Sequence, residues 1–319
     1  MSDKKPDKTF LIEMLLWQES RLGILSGIRK NTCLDRAMKS FFPSYRFCSG
    51  DKSIWNDVYY HDEYNLPRLT PSDVVIDVGA HTGAFTCACL NRGARRIIAF
   101  EPDPDSFALA MENIQDYLNS LELTASVEVH NSAVWRSDRR DMLRITKTRF
   151  SALTNSYQHG AQSVLFNDKD TTPVHSVALD NILRPLGKVS LVKLNCEGAE
   201  WPILFTSTQL GKVTRLLFGI HSLPWKAYEL GRRIPPELFA EFGHSTFEDL
   251  KTHLQEFGLR CVREQIEGNF LNDPDFYFGK VAFECRGNLE DNPRSLTGRL
   301  EWYADDGQEI LIRSNKSLY

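Results

Sequence analysis

The feature that most constrains this chain is an alternation that begins at Asp73, where short β-branched runs are separated by stretches with helical spacing. Runs that are apolar on both faces belong in a parallel sheet covered by helices on each side. Val74 to Val78 reads as a first buried strand, Gly79 to Gly83 as a turn and Ala84 to Asn91 as a helix. Arg96 to Phe100 reads as a second strand. Asp103 is placed to cap a helix with Pro104 at its first position and Phe107, Leu109, Met111, Ile114 and Leu118 on its apolar face. Val127 to Val134, Val189 to Asn195 and Arg215 to His221 read as third, fourth and fifth strands, with a helix starting near Gly198. Ser245-Thr246-Phe247-Glu248 resembles a capping box, Gly258 suits the stop of that helix, and Phe276 to Cys285 reads as a late antiparallel strand.

The stretch Trp135 to Lys188 breaks the alternation, with extended pieces around Met142 to Thr146 and Pro173 to Leu179. It reads as an insertion near the mouth of the site, where substrate-selecting loops lie. The expected fold is a doubly wound, Rossmann-like α/β domain with a mostly parallel sheet. It carries an insertion between strands 3 and 4 and an N-terminal helical extension. The expected boundaries are 1–54 for the extension, 55–286 for the main domain with 135–188 inserted on the acceptor side, and 287–319 for a polar tail. In the extension, Phe10, Leu11, Met14, Leu15 and Leu22 recur at helical spacing, which predicts an amphipathic helix. The run Phe10 to Trp17 is broken by Glu13 and is too short to span a membrane or drive secretion.

The 319 residues carry 38 basic and 42 acidic side chains, a net charge of −4. This balance disfavours a protein that binds nucleic acid by neutralising phosphates. The pairs Arg95-Arg96, Arg139-Arg140 and Arg232-Arg233 read as solvated surface. Seven scattered cysteines with no CxxC pair point to free thiols in a reducing compartment, hence a cytoplasmic location, and to no zinc or other metal site.

The most informative segment for chemistry is Asp77-Val78-Gly79-Ala80-His81-Thr82-Gly83, a glycine-bearing turn between a buried strand and a helix. Glycines there let backbone approach a ligand, and the helix start offers N–H groups to a carboxylate or phosphate. Asp77 is placed to accept from a ligand ammonium. Glu101, at the end of the next strand, is placed to reach the ribose hydroxyls of a nucleotide. The glycines are spaced GxxxG and not GxGxxG, so a pyrophosphate cradle for NAD is poorly supported. An acidic residue at this turn suits a zwitterionic amino-acid group better than a diphosphate, which favours S-adenosylmethionine.

The motif series resembles the FkbM family of S-adenosylmethionine-dependent methyltransferases. The matching pieces are DVGAHTG at Asp77 to Gly83, FEPDPDSF at Phe100 to Phe107, NSAV at Asn131 to Val134, and ALDNIL at Ala178 to Leu183. VSLVKLNCEGAEWPIL at Val189 to Leu204 and LLFGIH at Leu216 to His221 complete the series. The resemblance spans roughly residues 55 to 285. It implies a class I methyltransferase fold and O-methylation of a hydroxyl on a sugar, glycolipid or other small molecule. The cofactor-binding set is then Asp77, Gly79, Ala80, His81, Gly83, Glu101, Pro102, Ser132 and Ala133. Relative to the family pattern, Asn195 replaces an aspartate and Gly219 a glutamate, so two carboxylates are lost beside the expected reaction centre.

Methyl transfer is an in-line displacement on an activated sulfonium, so the protein's task is to align the acceptor and exclude water. The acceptor-side candidates, at the ends of the fourth and fifth strands, are Lys193, Asn195, Glu197, Glu200 and His221. His221 is the expected general base, since imidazole accepts a proton near neutrality. Its alternative role is to cap a strand. Glu197 is expected to orient the acceptor hydroxyl or to pair with Lys193, and Glu200 to favour the helix start electrostatically. The aromatics Trp55, Tyr59, Tyr60 and Tyr64 form either a lid over the cofactor or simple packing. The function expected is an O-methyltransferase for a small-molecule or glycan hydroxyl, with no nucleic-acid partner and no integral membrane segment. The alternatives are a catalytically weakened cofactor-binding or regulatory protein, motivated by Asn195 and Gly219, and an NAD-linked oxidoreductase.

Overall fold

The computed structural model describes residues 54–146, 150–151, 156–157, 164, 171–221, 234–268, 277–285, 302–303 and 309–310. The expected amphipathic helix at Phe10 to Leu22 lies outside these residues.

Seven strands form the central sheet: β1 (Val74–Val78), β2 (Arg96–Phe100), β3 (Ser126–His130), β4 (Val189–Leu194), β5 (Val213–His221), β6 (Leu259–Gly268) and β7 (Tyr277–Cys285). Their order is β6-β7-β5-β4-β1-β2-β3. The five strands from β5 to β3 run parallel, and β7 pairs antiparallel with both β5 and β6. This is a doubly wound, mostly parallel α/β sheet, as the alternation along the sequence predicts. β1 is buried along its whole length and β4 at all but Ser190, as befits central strands covered on both faces. Among the described residues, no helix is long and apolar enough to cross a membrane.

Among the described residues, six α-helices flank the sheet: α1 (Ala84–Asn91), α2 (Pro104–Ser120), α3 (Leu179–Leu183), α4 (Glu200–Thr206), α5 (Pro236–Phe242) and α6 (Phe247–Glu256). Asp103 caps α2 by accepting from the Ser106 N–H at 3.0 Å, with Pro104 in the first turn. The buried stripe of α2 is Ser106, Ala110, Asn113, Ile114 and Tyr117, whereas Met111 is 46% exposed. Of the five apolar positions read from sequence, only Ile114 is on that stripe. Small and amide side chains face inwards because the Asn113 amide donates to the Thr82 carbonyl and anchors α2 to the turn after β1.

Three other readings are corrected. The third strand ends at His130, and Ala133–Trp135 pairs instead with Ser176–Ala178 in a separate ribbon. The Asn131 amide forces this break by donating to the carbonyls of Glu101 and Pro102. The capping box on α6 is Thr246 with Asp249, one residue later than the expected Ser245 and Glu248. The helix after β4 starts at Glu200. Within the insertion, Leu143–Thr146 pairs antiparallel with Thr171–Val174, close to the extended pieces read from sequence.

Candidate active site at the sheet switch point

Strand order reverses between β1 and β4, and the C-terminal ends of the strands around that point bring the motif residues together. The turn after β1 is drawn tightly onto its neighbours. The N–H groups of Gly79 and Ala80 both donate to the Phe100 carbonyl at 2.9 Å, and the His81 N–H donates to Glu101 Oε2 at 2.8 Å. Gly79 has φ 76°, and a Cβ there would lie 2.2 Å from the Asn195 carbonyl oxygen, so only glycine fits between the ends of β1 and β4. His81 adopts a left-handed φ of 52° and Gly83 a φ of 93°. The amides of Gly79, Ala80 and His81 are therefore satisfied within the protein, and the turn presents its shape rather than these N–H groups.

Asp77 is fully buried and is bonded within the protein. Its Oδ1 accepts from Lys193 Nζ at 3.0 Å and its Oδ2 from the Thr86 hydroxyl at 2.8 Å. Register explains the pair, because Asp77 lies directly opposite Lys193 in the β1–β4 ladder. Lys193 Nζ also donates to the carbonyls of Val78 at 3.3 Å and Gly79 at 2.7 Å. Burial lowers the Lys193 pKa, but the charge of Asp77 reverses this and leaves it raised, so the ammonium persists. Lys193 thus ties the turn after β1 to β4 and pairs with Asp77, not with Glu197.

Glu101 closes the C-terminal end of β2. It is 6% exposed, and besides His81 it accepts the Asp103 N–H at 2.9 Å. Burial pushes its pKa up to about 7, against the two backbone amides that favour the carboxylate. Next to it the His130 ring stacks on Phe100 with centroids 5.0 Å apart, giving a flat wall. Pro102 and Ser132 lie partly exposed at this end, while Ala133 is buried with its N–H on the His175 carbonyl.

The other side of the switch point is built from the loop Asn195 to Ala199 and the end of β5. Glu197 is held at φ 53° and Gly198 at φ 99°, a left-handed pair that turns the chain into α4. Such a conformation is costly for a non-glycine residue and marks functional turns. Glu200, 1% exposed on its side chain, folds back over the turn. Its Oε1 accepts the Cys196 N–H at 2.5 Å and its Oε2 the Gly198 N–H at 2.7 Å. The same Oε1 lies 3.1 Å from His221 Nδ1. A carboxylate can only accept, so the proton between them sits on Nδ1 and the neutral ring keeps its lone pair on Nε2. Nε2 is 3.9 Å from Glu197, whose side chain is 29% exposed.

Electrostatics couple the three groups. Burial lowers the His221 pKa, but Glu200 and then Glu197 overcome it and leave it raised. Burial raises the pKa of Glu200, but His221 and the backbone amides pull it below its ordinary value. Burial also keeps the Glu197 carboxyl raised, against the pull of His221. Asn195 Oδ1 is buried without a hydrogen-bond partner. A Cβ on Gly219 would lie 2.4 Å from it and 2.8 Å from His221 Cε1, so the two departures from the family pattern touch each other.

The structure also brings in residues that the sequence reading missed. Trp201 Nε1 donates to the His221 carbonyl at 3.1 Å and fixes the end of β5. Lys280, opposite Gly219 in the β5–β7 ladder, lies within electrostatic reach of Glu197 and His221. No spacing rule exposes a residue that arrives from an antiparallel strand late in the chain. The aromatic cluster divides. Trp55 is buried behind the turn, with Nε1 donating to the Thr82 hydroxyl at 3.2 Å, and Tyr59 reaches the Tyr117 hydroxyl at 2.9 Å. These two are packing rather than a lid, whereas Tyr64 points to the charged centre. Asp180, in the ALDNIL motif, is structural: it accepts from Ser207, Thr208 and Gln209.

Residues 77–261, more than half of the chain, match the model of the methyltransferase FkbM domain. The chain belongs to the FkbM methyltransferase family. It is an S-adenosylmethionine-dependent methyltransferase, and its matched region contains the turn after β1, Glu101 and the Asn195 to His221 centre. No curated protein matches it. Among solved structures, it is similar to magnesium protoporphyrin IX methyltransferase of Synechocystis PCC 6803 with bound S-adenosylhomocysteine. Identity there is 12% over 88% of this chain and 100% of that one, with a TM-score of 0.37. TrmK of M. capricolum in complex with S-adenosylhomocysteine is 9% identical over 68% of this chain and 64% of that one, with a TM-score of 0.36. At such scores the likeness adds nothing to the strand order and the FkbM match.

Proposed function

We propose that this FkbM-family enzyme transfers a methyl group to a hydroxyl oxygen of a small-molecule or carbohydrate-type acceptor, with His221 as general base. The observation that carries the reading is the Glu200–His221 pair at 3.1 Å, which holds the imidazole in the tautomer that leaves Nε2 able to accept. In this reading the turn Asp77 to Gly83 and Glu101 hold S-adenosylmethionine. The fit rests on a turn where a Cβ at Gly79 would strike backbone, and on a buried carboxylate at the end of β2. Bound there, the cofactor supplies a methyl group on a sulfonium that needs no further activation.

The protein's own residues do the rest. Glu197 and Asn195 orient the acceptor hydroxyl, His221 Nε2 takes its proton, and Glu200 stabilises the imidazolium that forms. Alignment of this kind contributes up to roughly 7–11 kcal/mol. A positioned base adds roughly 10²–10⁴-fold. Two carboxylates beside His221 suit a neutral hydroxylated acceptor better than a polyanion, in line with the net charge of −4. The 135–188 insertion, which starts past the C-terminal end of β3, selects the acceptor.

The test is a screen of hydroxylated metabolites and glycans for acceptor-dependent release of S-adenosylhomocysteine. His221→Ala is expected to cut turnover roughly 10²–10⁴-fold while leaving S-adenosylhomocysteine affinity unchanged. An unchanged rate would reduce His221 to a structural residue. A second reading, cofactor binding without turnover, draws on the loss of two carboxylates at Asn195 and Gly219. Methyl transfer to any acceptor in the screen excludes it.

A further inference from the structure

Tyr64 carries a buried donor with nothing to donate to: the residue is 2% exposed and its phenol oxygen has no hydrogen-bond partner. Buried hydroxyls are nearly always paired, so this one marks a place where a partner is missing. The ring is fixed edge-on to Phe85, in the first turn of α1, with centroids 5.2 Å apart at 82°. Lys280 Nζ lies 5.0 Å from the Tyr64 ring centre, and Lys193 Nζ lies 5.5 Å from that of Phe85. The hydroxyl is within electrostatic reach of Lys193, of Glu63, which is paired with Lys280 at 3.5 Å, and of Asp77 and Glu200 at the head of the switch point. Burial holds the phenol far above its ordinary pKa, so it remains a donor at any working pH.

The neighbouring groups do not need its proton. Lys193 directs its three N–H groups to Asp77, Val78 and Gly79. Asp77 is served by Lys193 and Thr86, and Glu200 by Cys196, Gly198 and His221. What completes the corner is a ligand group that accepts a hydrogen bond. Beside a turn that holds S-adenosylmethionine, the group of that kind is the carboxylate of its amino-acid end. We propose that Tyr64 is a cofactor-binding residue whose hydroxyl donates to the methionine carboxylate of S-adenosylmethionine. The assignment rests on the cofactor reading of the Asp77 to Gly83 turn.

The test uses the full chain and two probes, S-adenosylhomocysteine and 5′-methylthioadenosine, which keeps the nucleoside thioether but lacks the amino-acid end. Tyr64→Phe is expected to weaken S-adenosylhomocysteine about 10-fold or more, as for a lost hydrogen bond to a charged group. Its affinity for methylthioadenosine stays at the wild-type value, and the melting temperature of the free protein does not fall. The ratio of the two affinities is read in one folded preparation, so a change in stability does not disturb it. Equal S-adenosylhomocysteine affinity in variant and wild type overturns the proposal, as does the same loss for both probes. A wild-type protein that binds neither probe would defeat the cofactor reading of the turn, and the proposal with it.

Discussion

At the scale of single residues, the pivotal feature is how one carboxylate, Glu200, serves two purposes. It closes the Cys196 to Gly198 turn through backbone N–H groups and fixes the tautomer of His221. Its position in the first turn of α4 suggested only a favourable interaction with the helix start. The turn at Glu197 and Gly198 folds it back instead, which no helical spacing reveals. Because Glu200 and Glu197 outweigh burial and raise the His221 pKa, the neutral imidazole forms only above the usual histidine range. The base form is gained as pH rises through this raised value, so kcat/KM should climb through an apparent pKa above about 6.5. Glu200→Gln removes the largest of the raising influences, so the rising limb is expected to move to lower pH while the plateau falls. A limb that stays in place would show that another group titrates.

At the scale of elements, the parallel strands were legible because β-branched runs bounded by glycine and proline have few alternatives. β6 was not. Its sequence LRCVREQIEG is rich in charge, and its register shifts between Cys261 and Arg263, which breaks the alternation that marks a strand. The Gly79 to Gly83 turn and Glu101 were likewise readable, since they sit at strand ends. The destination of Lys193 was not, because pairing with Asp77 is a matter of cross-strand register between segments 116 residues apart. This buried ion pair joins β1 to β4 at the turn after β1. Lys193→Met, which leaves Asp77 charged and unpaired, is expected to lower unfolding free energy in urea by about 3–5 kcal/mol. A loss below about 1 kcal/mol would mean that Asp77 finds another partner and that the pair is not what holds the turn.

At the scale of the whole molecule, the reversal of strand order between β1 and β4 gathers residues from segments that begin near Tyr64 and end near Lys280. The resemblance to the FkbM family was readable because its motifs mark these strand ends, whereas the grouping of Glu197, Glu200, His221 and Lys280 depends on packing between β4, β5 and β7. The measurement that tests the account most directly is a calorimetric titration of the wild type and Glu101→Ala with S-adenosylhomocysteine, run beside NAD. The account predicts that the wild type binds S-adenosylhomocysteine and not NAD, and that the variant binds at least about 10-fold more weakly, as for loss of a charge-assisted hydrogen bond. Near-wild-type affinity in Glu101→Ala, or binding of NAD alone, would contradict the placement of the cofactor at this switch point.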